Sequence, residues 1–235
     1  MNIFRIMNTV RTSESSIATT NCWSCSAQLK QSALFCEHCG KIQPPSGGYF
    51  SVFGLEPRLN LDLGVLEHQF HKLSRKLHPD RFGRATEQEK EWSLASSSLL
   101  NDAYRTLKDP IARTRYLLRM HGAEIGEEFA GKDKKDPSRA PADLLEEVFE
   151  LNMQLEELRM GGEDAGLKQS LSEARKKFVA LQDEVDDQLR AEWTKWDEGD
   201  ETAREAAQKT MIAMLDRRRY LNNLVREVTE TLGDS

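Results

Sequence analysis

The stretch DLGVLEHQFHKLSRKLHPD, residues 62–80, decides how the N-terminal half of the chain reads. Leu66, Phe70, Leu73 and Leu77 recur at 4-3-4 spacing, which places them on one stripe of a helix. Asp62 is a candidate N-cap, and Pro79 biases His78 away from helical dihedrals, so the helix is expected to end at about Leu77. Lys72, Arg75 and Lys76 lie in its last turns, where positive charge also complements the helix dipole. His78-Pro79-Asp80 then opens a short basic loop. A rigid proline beside a carboxylate suits docking, because Asp80 can accept a two-pronged contact from a partner's arginine. Taken alone, the same residues also fit a plain helix end with His78 as a cap and a solvated basic face.

Outward from this stretch, the 235 residues allow one or two compact domains with extensions. With 38% hydrophobic and 31% charged residues and only 7 Pro, the composition is helix-rich, and no apolar run approaches the length of a membrane span. Charge is unevenly placed. From Ala142 onward there are 13 Lys and Arg against 23 Asp and Glu, a net −10, which leaves +4 on the remainder of the −6 chain. Two differently charged halves suggest two partner surfaces, and the acidic half argues against a nucleic-acid ligand, which needs a dominant basic face. Residues 1–21 carry Arg5, Arg11, one acid (Glu14) and several Ser and Thr, without the long apolar core of a secretory signal. They read as a disordered tail, with a mitochondrial presequence as the alternative.

All 4 cysteines fall in Cys22-Trp23-Ser24-Cys25 and Cys36-Glu37-His38-Cys39. Each Cys-x-x-Cys places two thiolates on one side of a tight turn, and two facing turns supply four sulfurs tetrahedrally, the geometry of structural zinc. Disulfides are disfavoured without a secretory signal, and a redox pair needs an αβ context that is missing. An iron–sulfur cluster would also suit four thiolates. His38 sits inside a complete cysteine set and reads as a bystander. His68 and His71 are one helical turn apart, but no carboxylate or cysteine completes a site with them, so they read as surface residues.

Residues 131–141 are charged and proline-punctuated, a loop or linker. Three helical patterns follow: Leu144, Val148, Leu151, Leu155 and Leu158; then Leu167, Leu171, Ala174, Phe178, Leu181 and Val185; then Ala203, Ala207, Thr210, Met214, Leu221, Leu224 and Val228. Packed stripe to stripe, they make a three-helix bundle. The first helix carries a second apolar stripe, Leu145, Phe149 and Met153, among Glu146, Glu150 and Glu157. This stripe packs either on another element or stands exposed as an acid-rimmed docking patch.

Tyr49-Phe50-Ser51-Val52-Phe53-Gly54-Leu55 resembles the short opening helix and glycine stop of a J domain. The segment from Leu99 to Leu107 resembles its third helix, closed by Asp109-Pro110. Arg113, Tyr116-Leu117-Leu118 and His121-Gly122 resemble the extra helix of the HscB family, J-domain co-chaperones of iron–sulfur cluster assembly. Leu144 to Leu151 resembles that family's segment for binding the cluster scaffold IscU, and Arg219-Tyr220-Leu221 the stretch that completes the surface. Glu146 and Met153 depart from the family pattern, which tends to be apolar at the first and acidic at the second.

The resemblance implies an all-α protein: a J domain packed against a C-terminal three-helix bundle, plus a small N-terminal zinc-ribbon-like module. The expected segments are a tail at 1–21, the four-cysteine module at 22–43, the J domain with its extra helix at 48–122, a linker at 123–141 and the bundle at 142–235. Lys72, Arg75, Lys76, His78, Pro79 and Asp80 would bind a DnaK/HscA-type ATP-dependent chaperone. Leu145, Glu146, Phe149, Glu150, Met153, Glu157 and Tyr220 would bind an IscU-type scaffold. Cys22, Cys25, Cys36 and Cys39 would hold structural zinc. The chain would be no enzyme itself: it has no glycine-rich phosphate loop, so the nucleotide belongs to the partner whose ATPase it stimulates. It would act in the cytoplasm of a bacterium or, alternatively, in the mitochondrial matrix. The rival readings are a J-domain protein for other clients with the bundle as a dimerisation or spacer element, and a zinc-ribbon nucleic-acid binder.

Overall fold

A computed structural model of the chain describes residues 19–125, 142–161 and 165–233. Residues 1–18, most of the expected linker (126–141) and Gly162 lie outside the described residues. The described chain is helical apart from one two-stranded sheet, as expected of an all-α protein. No helix among the described residues is long and apolar enough to cross a membrane. The chain divides into two compact units, residues 1–56 with 64–105, and residues 57–63 with 106–235.

In the first unit, strand β1 (Thr19–Asn21) pairs antiparallel with β2 (Gln28–Lys30), Thr20 opposite Leu29. Residues 19–21, read from sequence as the end of a tail, therefore form a strand instead. Phe35 bridges Ile42 in a second small hairpin, and Leu29, Leu34 and Ile42 are buried. Helix α1 (Tyr49–Val52) is a single turn. Gly54, at φ +66°, stops it: its N–H donates to the Ser51 carbonyl while Leu55 N–H reaches Phe50, the two bonds of a Schellman end.

Helices α2 (Leu63–Leu77) and α3 (Glu87–Lys108) run antiparallel. Phe70 stacks on Tyr104 with centroids 4.1 Å apart, while at the other end the hydroxyls of Ser93 and Ser97 donate to the Leu77 carbonyl at 2.8 and 3.4 Å. Thr86 and Glu89 form a capping box at the start of α3. Glu89 N–H donates to Thr86 Oγ1, and Glu89 Oε2 accepts from Thr86 N–H.

The second unit is organised by α6 (Ala165–Glu198) and α7 (Glu201–Leu232), an antiparallel hairpin closed at Gly199-Asp200. Asp200 caps α7 by accepting from Ala203 N–H. Gly199 is required by close approach, since a Cβ there would lie 2.2 Å from the Lys195 carbonyl oxygen. Helix α5 (Leu145–Arg159) is short. Glu147 meets Lys177 and Gln154 meets Ser170, so α5 is antiparallel to α6. Asp143 meets Arg217 and Arg159 meets Glu227, so α5 is parallel to α7. The bundle core contains Leu144, Val148, Leu151, Leu155, Leu171, Phe178, Val185, Leu221, Leu224 and Val228. On α7 the stripe departs from the sequence pattern in its first half. Met211 and Leu215 are buried, whereas Thr210 is exposed and bonds its own helix at the Ala206 carbonyl. Two successive four-residue steps from Ala207 move the seam one position along.

Because α5 has 15 residues and α6 and α7 have 34 and 32, α5 covers only the half of the hairpin away from its turn. Helix α4 (Pro110–Met120), capped by Asp109, and residues 57–63 cover the turn half. Arg113 is 4% exposed, donates to the carbonyls of Leu59 and Leu107, and lies over the Trp193 ring at 4.9 Å. Asp197 accepts from the backbone N–H groups of Leu59 and Asn60. Replacing Arg113 by Met keeps bulk but removes a donor from two carbonyls, of which that of Leu59 keeps the Leu61 N–H, and removes the cation over the ring. The expected cost is about 2–4 kcal/mol of unfolding free energy, measured by urea denaturation. A loss within about 0.5 kcal/mol would show that Arg113 does not anchor this end.

Candidate functional site

Three groups of side chains stand out. The first is the cysteine cluster, where the sulfur atoms of Cys22, Cys25, Cys36 and Cys39 lie within 4.8 Å of one another. Cys22 to Cys39 and Cys25 to Cys36 are each 3.7 Å, close to the separation of about 3.8 Å that tetrahedral ligands at 2.3 Å would have. The two turns are built alike. Ser26 N–H bonds the Cys22 carbonyl and Cys22 N–H the Ala27 carbonyl, while Gly40 N–H bonds the Cys36 carbonyl and Cys36 N–H the Lys41 carbonyl. Equivalent positions share a left-handed backbone, Gly40 at φ +72° and Ser26 at φ +60°. Cys22 Sγ accepts from Ser24 N–H and Gln43 Nε2, and Cys36 Sγ accepts from Cys39 N–H, the bonds that ligand thiolates receive.

Against burial, which raises it, N–H groups of Cys25 and Ser24 and the neighbouring thiols draw the Cys22 thiol down to about 6. The Ala27 N–H favours ionisation at Cys25, but burial and the three other thiols push it up to about 12. Four thiols this close cannot all ionise by themselves, and a divalent cation removes the conflict. The residues therefore fit a metal ion.

The second group is the turn after α2. His78, at φ −56° and ψ 130°, leaves the helix as a pre-proline residue does, and Pro79–Phe82 form one turn of 3-10 helix. Asp80 N–H donates to His78 Nδ1 at 3.3 Å, which folds the imidazole over the turn. The Asp80 carboxylate is directed outward, its side chain 89% exposed. Lys72, Arg75 and Lys76 are exposed on α2, and Lys76 Nζ lies 5.8 Å from the centre of the Phe35 ring. The turn and the basic face are thus neighbouring features of one helix end. Sequence reading missed what fixes them. The Thr86-Glu87-Gln88-Glu89 capping signature was legible, but the grip of Ser93 and Ser97 on Leu77 depends on how α3 returns along α2.

The third group is on α5. Leu145, Phe149 and Met153 are 48, 69 and 59% exposed, and Glu146, Glu150 and Glu157 are exposed beside them, while Leu144, Val148 and Leu151 are buried. Tyr220, expected to be exposed like them, is half-buried and packs against the bundle core. Burial and the nearby Glu227 carboxylate raise its phenol above the ordinary range. The bidentate Arg217–Asp143 pair, at 2.9 and 2.8 Å, anchors the chain entering α5 three residues before Tyr220 on α7. It holds the Asp143 carboxyl below the usual carboxylate range.

A scan of protein-family models matches none to this chain. Among curated proteins, it is 32% identical over 213 residues to the iron–sulfur cluster co-chaperone protein HscB of Mus musculus, across 88% of this chain and 80% of that protein. It is 31% identical over 169 residues to the Homo sapiens protein, across 70% and 68%, and 38% identical over 116 residues to a co-chaperone protein HscB homolog of Vibrio vulnificus, across 49% and 63%. Its structure is similar to the crystal structure of human co-chaperone protein HscB, with a TM-score of 0.62 at 26% identity over 90% of this chain and 98% of that one. The chaperone HscB from Vibrio cholerae gives a TM-score of 0.54 at 26% identity, over 78% and 96%. With this agreement in sequence and architecture, the chain belongs to the HscB family, the co-chaperones of iron–sulfur cluster assembly.

Proposed function

We propose that the chain binds an IscU-type scaffold protein through α5 and α7, presents it to a DnaK/HscA-type chaperone, and stimulates that chaperone's ATPase through the His78-Pro79-Asp80 turn. The observation that carries this reading is the division of α5 into a buried stripe and an exposed one. A 15-residue helix whose core stripe is already full gains nothing in folding from a second row of large apolar side chains. Ringed by carboxylates, that row has the composition of a docking surface. Leu145, Phe149 and Met153 would supply the apolar anchors, Glu146, Glu150 and Glu157 the rim, and Tyr220 its packed border. In this reading residues 48–122 act as the J domain with its extra helix and 142–235 as the scaffold-binding bundle.

On the other side, Asp80 offers a carboxylate on a turn stiffened by Pro79, its side chain 89% exposed although His78 Nδ1 lies 3.4 Å from one of its oxygens. Lys72, Arg75 and Lys76 would steer an acidic chaperone surface towards it. The chain itself makes and breaks no covalent bond, since hydrolysis belongs to the chaperone. Residues 22–43 would hold zinc through Cys22, Cys25, Cys36 and Cys39, and zinc would serve there as a structural cross-link with no open position.

Asp80→Asn keeps size and removes the charge that grips an arginine. Stimulation of the chaperone ATPase is expected to fall at least about tenfold with the circular dichroism spectrum unchanged, while full stimulation would refute the J-domain role. The Leu145→Ala/Phe149→Ala/Met153→Ala variant opens no core cavity, so its stability is expected to change by less than about 1 kcal/mol. Its scaffold affinity is expected to drop by more than about 2 kcal/mol in calorimetry. A large fall in melting temperature would instead identify the stripe as core and favour a spacer role for the bundle. Metal analysis is expected to find zinc in the parent and none in Cys22→Ser or Cys36→Ser, with retention lost as pH falls and the thiolates protonate. Sulfur-to-iron charge-transfer bands in anaerobically purified protein would overturn zinc.

A further inference from the structure

Each metal-binding turn sends one side chain to the start of α3. Trp23, inside the first turn, meets Trp92 edge to face at 5.6 Å between centroids, and its indole N–H donates to the Ile42 carbonyl at 2.7 Å. Lys41, two residues after Cys39, places Nζ 2.8 Å from Glu89 Oε1. The Lys41 carbonyl accepts from Cys36 N–H and from Gln43 Nε2, and the same amide reaches Cys22 Sγ. Lys41 is therefore held by both turns at once.

Glu89 and Trp92 are three residues apart and lie on one face of α3. The Glu89 side chain is 5% exposed, and its two oxygens divide their work. Oε1 faces Lys41, and Oε2 accepts from the N–H and hydroxyl of Thr86, the cap of α3. One turn further on, Ser93 and Ser97 hold the Leu77 carbonyl, the last peptide before His78. Polar contacts thus join the cysteine turns to Lys41 and Glu89, and the first turns of α3 join Glu89 to the two serines that hold the base of the His78-Pro79-Asp80 turn.

We propose that Glu89 is a positioning residue that couples metal occupancy of the four-cysteine module to the geometry of the His78-Pro79-Asp80 turn. The functional meaning of that turn rests on the J-domain reading above. Without a cation, nothing ties the four sulfurs to one point, so the two turns are free to separate, Lys41 shifts with Cys36, and Glu89 loses the partner that balances its buried charge. The first turn of α3 loosens, and the anchor on Leu77 loosens with it. By reciprocity, breaking the Lys41–Glu89 contact must also weaken metal retention, a consequence that a helix cap alone would not have.

The test uses the full-length, zinc-loaded chain and two conservative variants. Glu89→Gln keeps a capping oxygen but removes the charge, and Lys41→Met removes the ammonium from the other side. Zinc affinity, read by equilibrium competition with a chromophoric chelator, is expected to be about fivefold lower in each, with the double variant no weaker than either, as for partners in one contact. Amide exchange over residues 77–86 is expected to rise on stripping zinc from the parent, and to be already raised in zinc-loaded Glu89→Gln, while amides of α7 do not change. Parent zinc affinity in either variant, or exchange over residues 77–86 indifferent to zinc, overturns the coupling. Asp80→Asn separates the two readings. If that change leaves ATPase stimulation intact, the J-domain role fails while the metal-linked exchange still stands or falls by itself.

Discussion

The mismatch in length between α5 and the α6–α7 hairpin governs the rest of the second unit. Two helices of 34 and 32 residues present a seam that a 15-residue helix cannot cover. Its turn end is instead closed by α4 and residues 57–63, through the buried guanidinium of Arg113 and the carboxylate of Asp197. Leaving Arg113 in place of an apolar residue makes the closure directional, because each of its contacts has a required geometry. Relieved of covering the whole seam, α5 packs with one stripe. Its other stripe is then available as a surface.

The first unit follows a different constraint, a peptide carbonyl that must be held where a helix ends. Leu77 closes α2, and Pro79 forbids the helix from continuing, so the Leu77 carbonyl needs an external donor. Ser93 and Ser97 provide it from α3. The turn that follows is thus fixed at its base and stiffened by proline, yet its Asp80 carboxylate remains outside. A rigid turn with an exposed acceptor loses little freedom when a partner grips it.

Much of this was legible in the residue order. The 4-3-4 stripe of α2, the stop at His78, the four-cysteine set and both stripes of α5 follow from local periodicity and spacing, which depend only on helix geometry and ligand chemistry. What the sequence did not disclose depends on residues far apart. Tyr220 carries an aromatic signal but no sign that α7 turns it towards the core. The shift of the α7 seam from Thr210 to Met211 comes from four-residue steps whose register only the packing against α6 decides. Lys41 and Glu89, 48 positions apart, look like two ordinary surface charges until the module and α3 share one unit. The Ser26 backbone was hidden for another reason: a left-handed serine is uncommon, and only its equivalence to Gly40 explains it.

The central claim is that one chain joins a scaffold-binding surface to an ATPase-stimulating turn. Its most direct measurement is steady-state ATP hydrolysis by a DnaK-type chaperone with this chain alone, with an IscU-type scaffold alone, and with both. If the chain presents the scaffold to the chaperone, the rate with both exceeds the sum of the separate stimulations, and the excess disappears when the scaffold is replaced by an unrelated protein. A rate with both equal to that sum would contradict the claim.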